Sequence, residues 1–175
     1  MTPADYQQRG SAHRLDLFTG LMPHLDGASF FDIGCNRGLY SVQAALAGAQ
    51  LVHGCDSYAQ GVDVARQILA DFLNVESRFE VVDLSHGPAA LDPFGLRRYQ
   101  VVYMSGVVHK LRRQMPEALL ADLLRDIGRR TIRFLVWTGY PEEVAIIDDI
   151  VRPVGLWRAN MKISGALPSA MIWGR

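Results

Sequence analysis

The chain alternates short apolar runs with helical stretches five times, then closes on two more extended runs. No other feature constrains its fold as tightly. The apolar runs are 29–33, 50–55, 78–82, 100–104 and 131–137, and the first four stop at Gly34, Asp56, Asp83 and Ser105. The stretch 39–47 is an alanine-rich helix with Gly48 as its C-terminal cap. The stretch 62–73 puts Ala65, Ile68, Leu69 and Phe72 on one stripe, and 116–127 does the same with Leu119, Leu120, Leu123, Leu124 and Ile127. A further helix opens at Pro141, carries Glu142 and Glu143 in its first turn, and buries Val144, Ile147, Ile150 and Val151. Residues 85–98, broken by Gly87, Pro88, Pro93 and Gly95, read as a loop holding one turn of helix. Extended runs at 156–164 and 169–173, with a turn over 165–168, add a hairpin. Strands alternating with helices of this length make a parallel sheet covered on both sides. The expected fold class is α/β: a doubly wound, mostly parallel seven-stranded sheet with helices on both faces and a C-terminal antiparallel hairpin. Right-handed crossovers then gather the loops after Ile33, Cys55, Val82 and Met104 at one edge, where ligands bind in such sheets.

Length and charge narrow the class. The 175 residues suffice for one domain with its own core, and 49% hydrophobic with 21% charged residues is ordinary for a soluble globular protein. Residues 1–28 read as an N-terminal helical lid, with Leu15, Phe18, Leu21 and Met22 at helical spacing before Pro23, ahead of a single domain over 29–175. Eighteen basic residues balance 18 acidic ones, so overall charge favours neither nucleic acid nor an anionic membrane. Cys35 and Cys55 lack the spacing of a zinc site or a disulfide framework, and read as reduced thiols of a cytoplasmic protein. Residues 1–10 are polar and predict no secretory signal, and no apolar run approaches the ~18 residues of a membrane span. Asp148 and Asp149 are helix neighbours that do not face one point, so no metal is expected. Arg129, Arg130 and Arg133 read as solvent-facing.

The first strand runs into Phe31-Asp32-Ile33-Gly34-Cys35-Asn36-Arg37-Gly38. A dinucleotide loop needs Gly at positions 36 and 39, where this chain has Asn36 and Leu39, so the nicotinamide and flavin readings fail. The segment Asp32-Ile33-Gly34-Cys35-x-x-Gly38 instead resembles the first motif of the class I, Rossmann-like, S-adenosylmethionine-dependent methyltransferases. That resemblance implies a loop of Gly34, Cys35, Asn36 and Gly38 around the methionine part of S-adenosyl-L-methionine, with Asp32 near its amino group. The family's usual Gly is replaced by Asn36, a residue type that tolerates positive φ. Members with Asn at this place include those resembling the tRNA wobble-uridine carboxymethyltransferases.

The resemblance continues to about residue 173. It implies that Asp56, with Ser57 beside it, binds the ribose hydroxyls; the competing structural role is a helix N-cap. It implies that Asp83 takes the adenine amino group and that the Leu84 amide meets a ring nitrogen. Residues 101–111 resemble the fourth motif, which sets Ser105 near the sulfonium methyl and His109 a few positions on. The family's Asn- or Asp-Pro-Pro-Tyr motif is absent, which argues against a planar amino acceptor.

A hydroxyl or ammonium acceptor needs a base near neutrality, and His109 is the first candidate, with His13 and His86 behind it. Tyr40 and Arg37 follow the glycine loop; Tyr40 and Arg112, the latter between Lys110 and Arg113, are the expected substrate contacts. Tyr6, Arg9 and His13 belong to the expected lid. The reading is a methyltransferase with a small-molecule acceptor, releasing S-adenosyl-L-homocysteine. The Asn36 variant and the basic clusters support a second reading, an RNA-modifying (tRNA) enzyme. The short chain supports a third, a non-catalytic cofactor-binding subunit. The pattern specifies neither the acceptor atom nor an oligomeric state.

Overall fold

Residues 20–159 and 170–175 are described by the computed structural model. The strands are β1 (Ser29–Ile33), β2 (Leu51–Asp56), β3 (Glu76–Val81), β4 (Tyr99–Ser105), β5 (Thr131–Thr138), β6 (Trp157–Arg158) and β7 (Ala170–Gly174). They form one sheet in the order β3-β2-β1-β4-β5-β7-β6. The first five are parallel, and β7 runs antiparallel between β5 and β6. The helices are α1 (Leu39–Leu46), α2 (Ala59–Leu69), α3 (Val108–Gln114), α4 (Glu117–Arg130) and α5 (Glu143–Val151). The doubly wound, mostly parallel sheet expected from the alternation is the one observed.

Strand pleating sorts the core into two layers. On β4, Val101 and Tyr103 face the layer beneath α1 and α2, whereas Val102 and Met104 face the layer beneath α4 and α5. On β1, Phe30 joins the first layer, and Phe31 and Ile33 the second. The helices supply matching stripes: Val62, Ala65 and Leu69 from α2, and Leu120, Leu123, Leu124 and Ile127 from α4. Each such fully buried aliphatic side chain contributes roughly 1.5–3 kcal/mol through removal from water.

Several boundaries differ from the sequence reading. Strand β3 starts at Glu76, two residues early, because its polar, exposed first half hides the strand pattern. The stretch 84–94 is helical rather than a loop with one turn. It is a 3-10 run kinked at Gly87 that buries Leu84, Leu91 and Phe94. Helix α3 was not expected; seven residues are too few for a periodic stripe to register. Arg130 is not solvent-facing. It is 5% exposed, with Nε donating to Asp126 Oδ2 at 2.6 Å and Nη1 donating to the Gly95 carbonyl, so it ties the end of α4 to the 3-10 run. Of the expected lid, residues 1–19, with Tyr6, Arg9 and His13, lie outside the described residues, as do 160–169 of the expected hairpin. No helix among the described residues is long and apolar enough to cross a membrane.

Asp148 holds α5 to the sheet's antiparallel end. Its Oδ1 accepts from Trp173 Nε1 at 3.0 Å and from Arg158 Nε at 3.2 Å, and its Oδ2 accepts from Arg152. Burial pushes this carboxyl up, but the Trp173 hydrogen bond and the two guanidinium groups outweigh burial and hold it below its ordinary value. Such a carboxyl stabilises the fold above the unfolded value near about 4 and loses that contribution as pH falls through its folded value. Asp148→Asn keeps an acceptor for Trp173 and removes the ion pairs. Urea denaturation at neutral pH should show a loss of about 1–2 kcal/mol, modest because both arginines are half exposed. The difference from the parent protein should shrink on acidification.

Candidate functional site

The pairing of β1 fixes the site. Ile33 lies opposite Cys55 on one side and Met104 on the other, so three strands end at one level. Beyond them opens a cleft of about 880 Å³. The amides of Gly34 and Cys35 both donate to the Cys55 carbonyl, at 2.8 and 3.0 Å, which stitches the first loop to the end of β2. The loop then turns through Asn36 at φ 49° and Gly38 at φ 77°. Asn36 is the non-glycine residue with positive φ among the described residues, as its place in the motif suggested. Gly34, at φ 80°, is required twice: for its backbone, and because a Cβ there would run into Val107.

Asp56 ends β2 and bridges two loops. Its Oδ2 accepts from the Asn36 amide at 2.8 Å and its Oδ1 from the Tyr58 amide at 2.9 Å. A carboxylate offers about four acceptor positions, so both oxygens keep capacity toward the cleft. Asp83, after β3, is exposed, and hydrogen bonds from the Ser85 side chain and amide hold its carboxyl below the ordinary value. On the far wall, Thr138 Oγ1 donates to Ser105 Oγ at 2.8 Å, and the Gly106 amide donates to the Thr138 carbonyl at 2.8 Å.

Of the residues singled out from sequence, Gly34, Cys35, Asn36, Tyr40, Asp56, Ser57, Asp83, Leu84, Ser105 and His109 line this cleft. Asp32, Gly38 and Arg112 do not. Pleating turns Asp32 to the same side as Phe30, under α1, where it is 1% exposed and its Oδ2 accepts from Ser41 Oγ at 2.7 Å. Burial pushes its carboxyl up to about 7, against the pull of the Ser41 hydroxyl and amide. Gly38 starts α1, where a Cβ would meet Ala65 of α2. Lys110 and Gln114 share the cleft face of α3, and Arg112 lies about half a turn round the helix from Lys110, exposed. Tyr40 reaches the cleft while its ring packs on Tyr103 at 4.4 Å. Burial pushes the Cys35 and Cys55 thiols well up, so both stay protonated and unreactive near neutrality.

His109 has neighbours that no motif announced. Its side chain is 23% exposed, its ring meets the edge of Tyr140 at 5.0 Å, and its Nδ1 lies 3.8 Å from Glu143 Oε1. Glu143 is 1% exposed, wedged against the Trp137 ring where a Cβ on Gly139 would collide with both. Burial lowers the His109 pKa, with Lys110 and Arg113 adding to the effect, and burial raises that of Glu143. Glu143 was read only as a dipole-favouring acid at a helix start. A signal was present, since 143, 147 and 151 share the four-residue spacing of the buried stripe on α5. No group of His, Cys, Asp and Glu side chains suited to a metal occurs among the described residues.

No protein-family model matches the chain. Its sequence is similar to the tRNA U34 carboxymethyltransferases of two Pseudomonas putida strains, W619 at 32% identity and GB-1 at 31%, each over 133 residues. Each match covers 73% of this chain, and the chain spans only 39% of the length of these curated relatives. Among solved structures, magnesium protoporphyrin IX methyltransferase from Synechocystis PCC 6803, crystallised with bound SAM, superposes with a TM-score of 0.62 at 21% identity, covering 99% of this chain and 90% of that one. The bifunctional kinase-methyltransferase WbdD superposes with a TM-score of 0.67 at 16% identity, covering 94% of this chain and 39% of that one. The sheet order, the antiparallel β7 and the cleft at the carboxyl ends of β1 to β4 agree with these likenesses: this chain has the class I, Rossmann-like, S-adenosylmethionine-dependent methyltransferase fold.

Proposed function

We propose that this protein transfers a methyl group from S-adenosyl-L-methionine to a small-molecule acceptor. One observation carries the reading: four strand-end loops with the family's residue types, Gly34–Gly38, Asp56–Ser57, Asp83–Leu84 and Ser105, come together, and all but Gly38 line one cleft. The residues fit the group. Gly34, where a Cβ would strike Val107, lets the loop backbone line the cleft, and the two carboxylates suit a vicinal diol and an exocyclic amine. When bound, S-adenosyl-L-methionine supplies an activated methyl carbon with its leaving group built in.

The chain's own residues supply position and proton transfer. The Gly34–Asn36 turn would hold the methionine end, Asp56 and Ser57 the ribose, and Asp83 with the Leu84 amide the base. Asp32, buried and bonded to Ser41, would act on the loop from behind rather than on an ammonium in the cleft. His109, with a pKa lowered by burial, would be deprotonated near neutrality and able to take the acceptor's proton. Tyr40 and Tyr140 line the same cleft and would bound the acceptor. The size of the cleft and the zero net charge support a small acceptor over a large one.

Calorimetric titration with S-adenosyl-L-methionine should give micromolar-scale binding, about −8 kcal/mol. Asp56→Ala should weaken it at least about tenfold, since hydrogen bonds to a charged acceptor are worth roughly 1.5–3 kcal/mol and this acid also ties Asn36 to Tyr58. Absence of binding to a folded wild-type protein would reject the reading.

A specific observation favours a second reading, an RNA acceptor. The similar curated proteins are tRNA enzymes, and α3 exposes Lys110, Arg112 and Arg113 beside the cleft. Three phosphate contacts would make affinity for tRNA fall about 40-fold between ~50 and ~200 mM salt. Fluorescence anisotropy with bulk tRNA checks this: weak, salt-insensitive binding keeps the small-molecule reading.

A further inference from the structure

Three acids are buried among the described residues, and two have ordinary partners: Asp32 accepts from Ser41, and Asp148 from Trp173 and two arginines. Glu143 differs. It is 1% exposed, and neither of its carboxyl oxygens is hydrogen-bonded among the described residues. A buried carboxyl without a partner is costly. Nothing about packing calls for one here, because Glu143 continues a stripe whose other members, Ile147 and Val151, are aliphatic. Across from it lies His109 Nδ1, also buried and also without a hydrogen bond, 3.8 Å from Glu143 Oε1. With Nδ1 buried, the exposure of the ring falls on its other edge, and His109 lines the cleft. Trp137 Nε1, in the ring that Glu143 packs against, is likewise buried without a hydrogen bond, so the carboxyl stands between two donors, Trp137 and His109, at the back of the wall where the acceptor would sit.

We infer that Glu143 is the positioning residue for His109: its carboxyl accepts the Nδ1–H and so leaves the Nε2 lone pair turned to the cleft as the base. The inference rests on the proposed methyl transfer for its purpose, and on the His109–Glu143 geometry for its substance. The separation is about an ångström longer than a hydrogen bond, and catalytic contacts of this kind tighten when the site fills. In the proposed reaction, the acceptor's lone pair would bond to the methyl carbon as the carbon–sulfur bond broke, its electrons staying on sulfur. The acceptor's proton moves to His109 Nε2. The imidazolium so formed lies beside the Glu143 carboxyl, and its proton returns to solvent on release. The other groups acting on the pair are Lys110 and Arg113 from α3, which oppose charge on His109, and Glu142, Arg112, Trp137 and the Tyr140 amide, which act on Glu143.

The test needs neither acceptor nor cofactor. Long-range proton–nitrogen NMR reads the tautomer of His109 at about pH 8 and follows its titration in the full chain and in Glu143→Gln, with His109→Gln used for assignment. The expected result is the Nδ1–H tautomer in the wild type and a titration midpoint roughly one pH unit lower in Glu143→Gln, which lacks the charge but keeps the shape. A purely structural Glu143 would leave both unchanged. An Nε2–H tautomer in the wild type, or a midpoint that does not move, overturns the inference. Should Glu143→Gln fail to fold, the wild-type tautomer decides alone. Calorimetry with S-adenosyl-L-methionine on the same samples separates the two ideas: loss of the functional reading shows as absent binding, loss of the pairing as the wrong tautomer.

Discussion

The cleft depends on β1 being held on both sides at one level. Because Ile33 pairs with Cys55 and with Met104, the chain leaves three parallel strands together, and the Cys55 carbonyl captures the amides of Gly34 and Cys35 at once. Those two hydrogen bonds place Asn36 where its own amide reaches Asp56, and Asp56 in turn fixes Tyr58 at the start of α2. The loop's shape is therefore set by backbone groups and one carboxylate. This is preorganisation in the plain sense: the donors and acceptors are already spent on holding the frame.

Much of this was legible in the sequence, for a local reason. A strand that ends in Gly or Asp and hands over to a helix declares both the sheet edge and the residues standing on it, as Gly34, Asp56 and Asp83 do. Asn36, at a motif position usually held by Gly, was read as a residue type that tolerates positive φ, and the structure has it at one. The misses share a different cause. Arg112 was read from the basic residues beside it and Arg130 from its place at a strand end, yet one lies off the cleft face of a short helix that shows no periodicity and the other is buried by a carbonyl from a distant loop. Such contacts are non-local, and neither propensity nor spacing encodes them. Asp32 is intermediate. Simple two-residue parity with Phe30 directs it away from the edge, and the motif obscured that parity.

Glu143 shows the same tension from the other side. As the first residue of a helix it satisfies the rule for acids near the positive end of the dipole, and that rule accounted for it before its place on the buried stripe was considered. When two sequence rules explain one residue, the less favourable environment carries more information. An acid on an apolar stripe departs from local consistency, and such departures concentrate where a protein has chemistry to arrange.

Helix α5 joins two regions that would otherwise be independent. Its first residue, Glu143, stands at the wall of the cleft, and Asp148, less than two turns on, is fastened to Trp173 of β7 and to Arg158 of β6. A helix of this length behaves as a rigid rod, so the far anchor sets the rotation of the near end. The antiparallel strands thus act as a tuning peg for the cleft: through the Asp148 fastening they set the angle at which the acid meets His109.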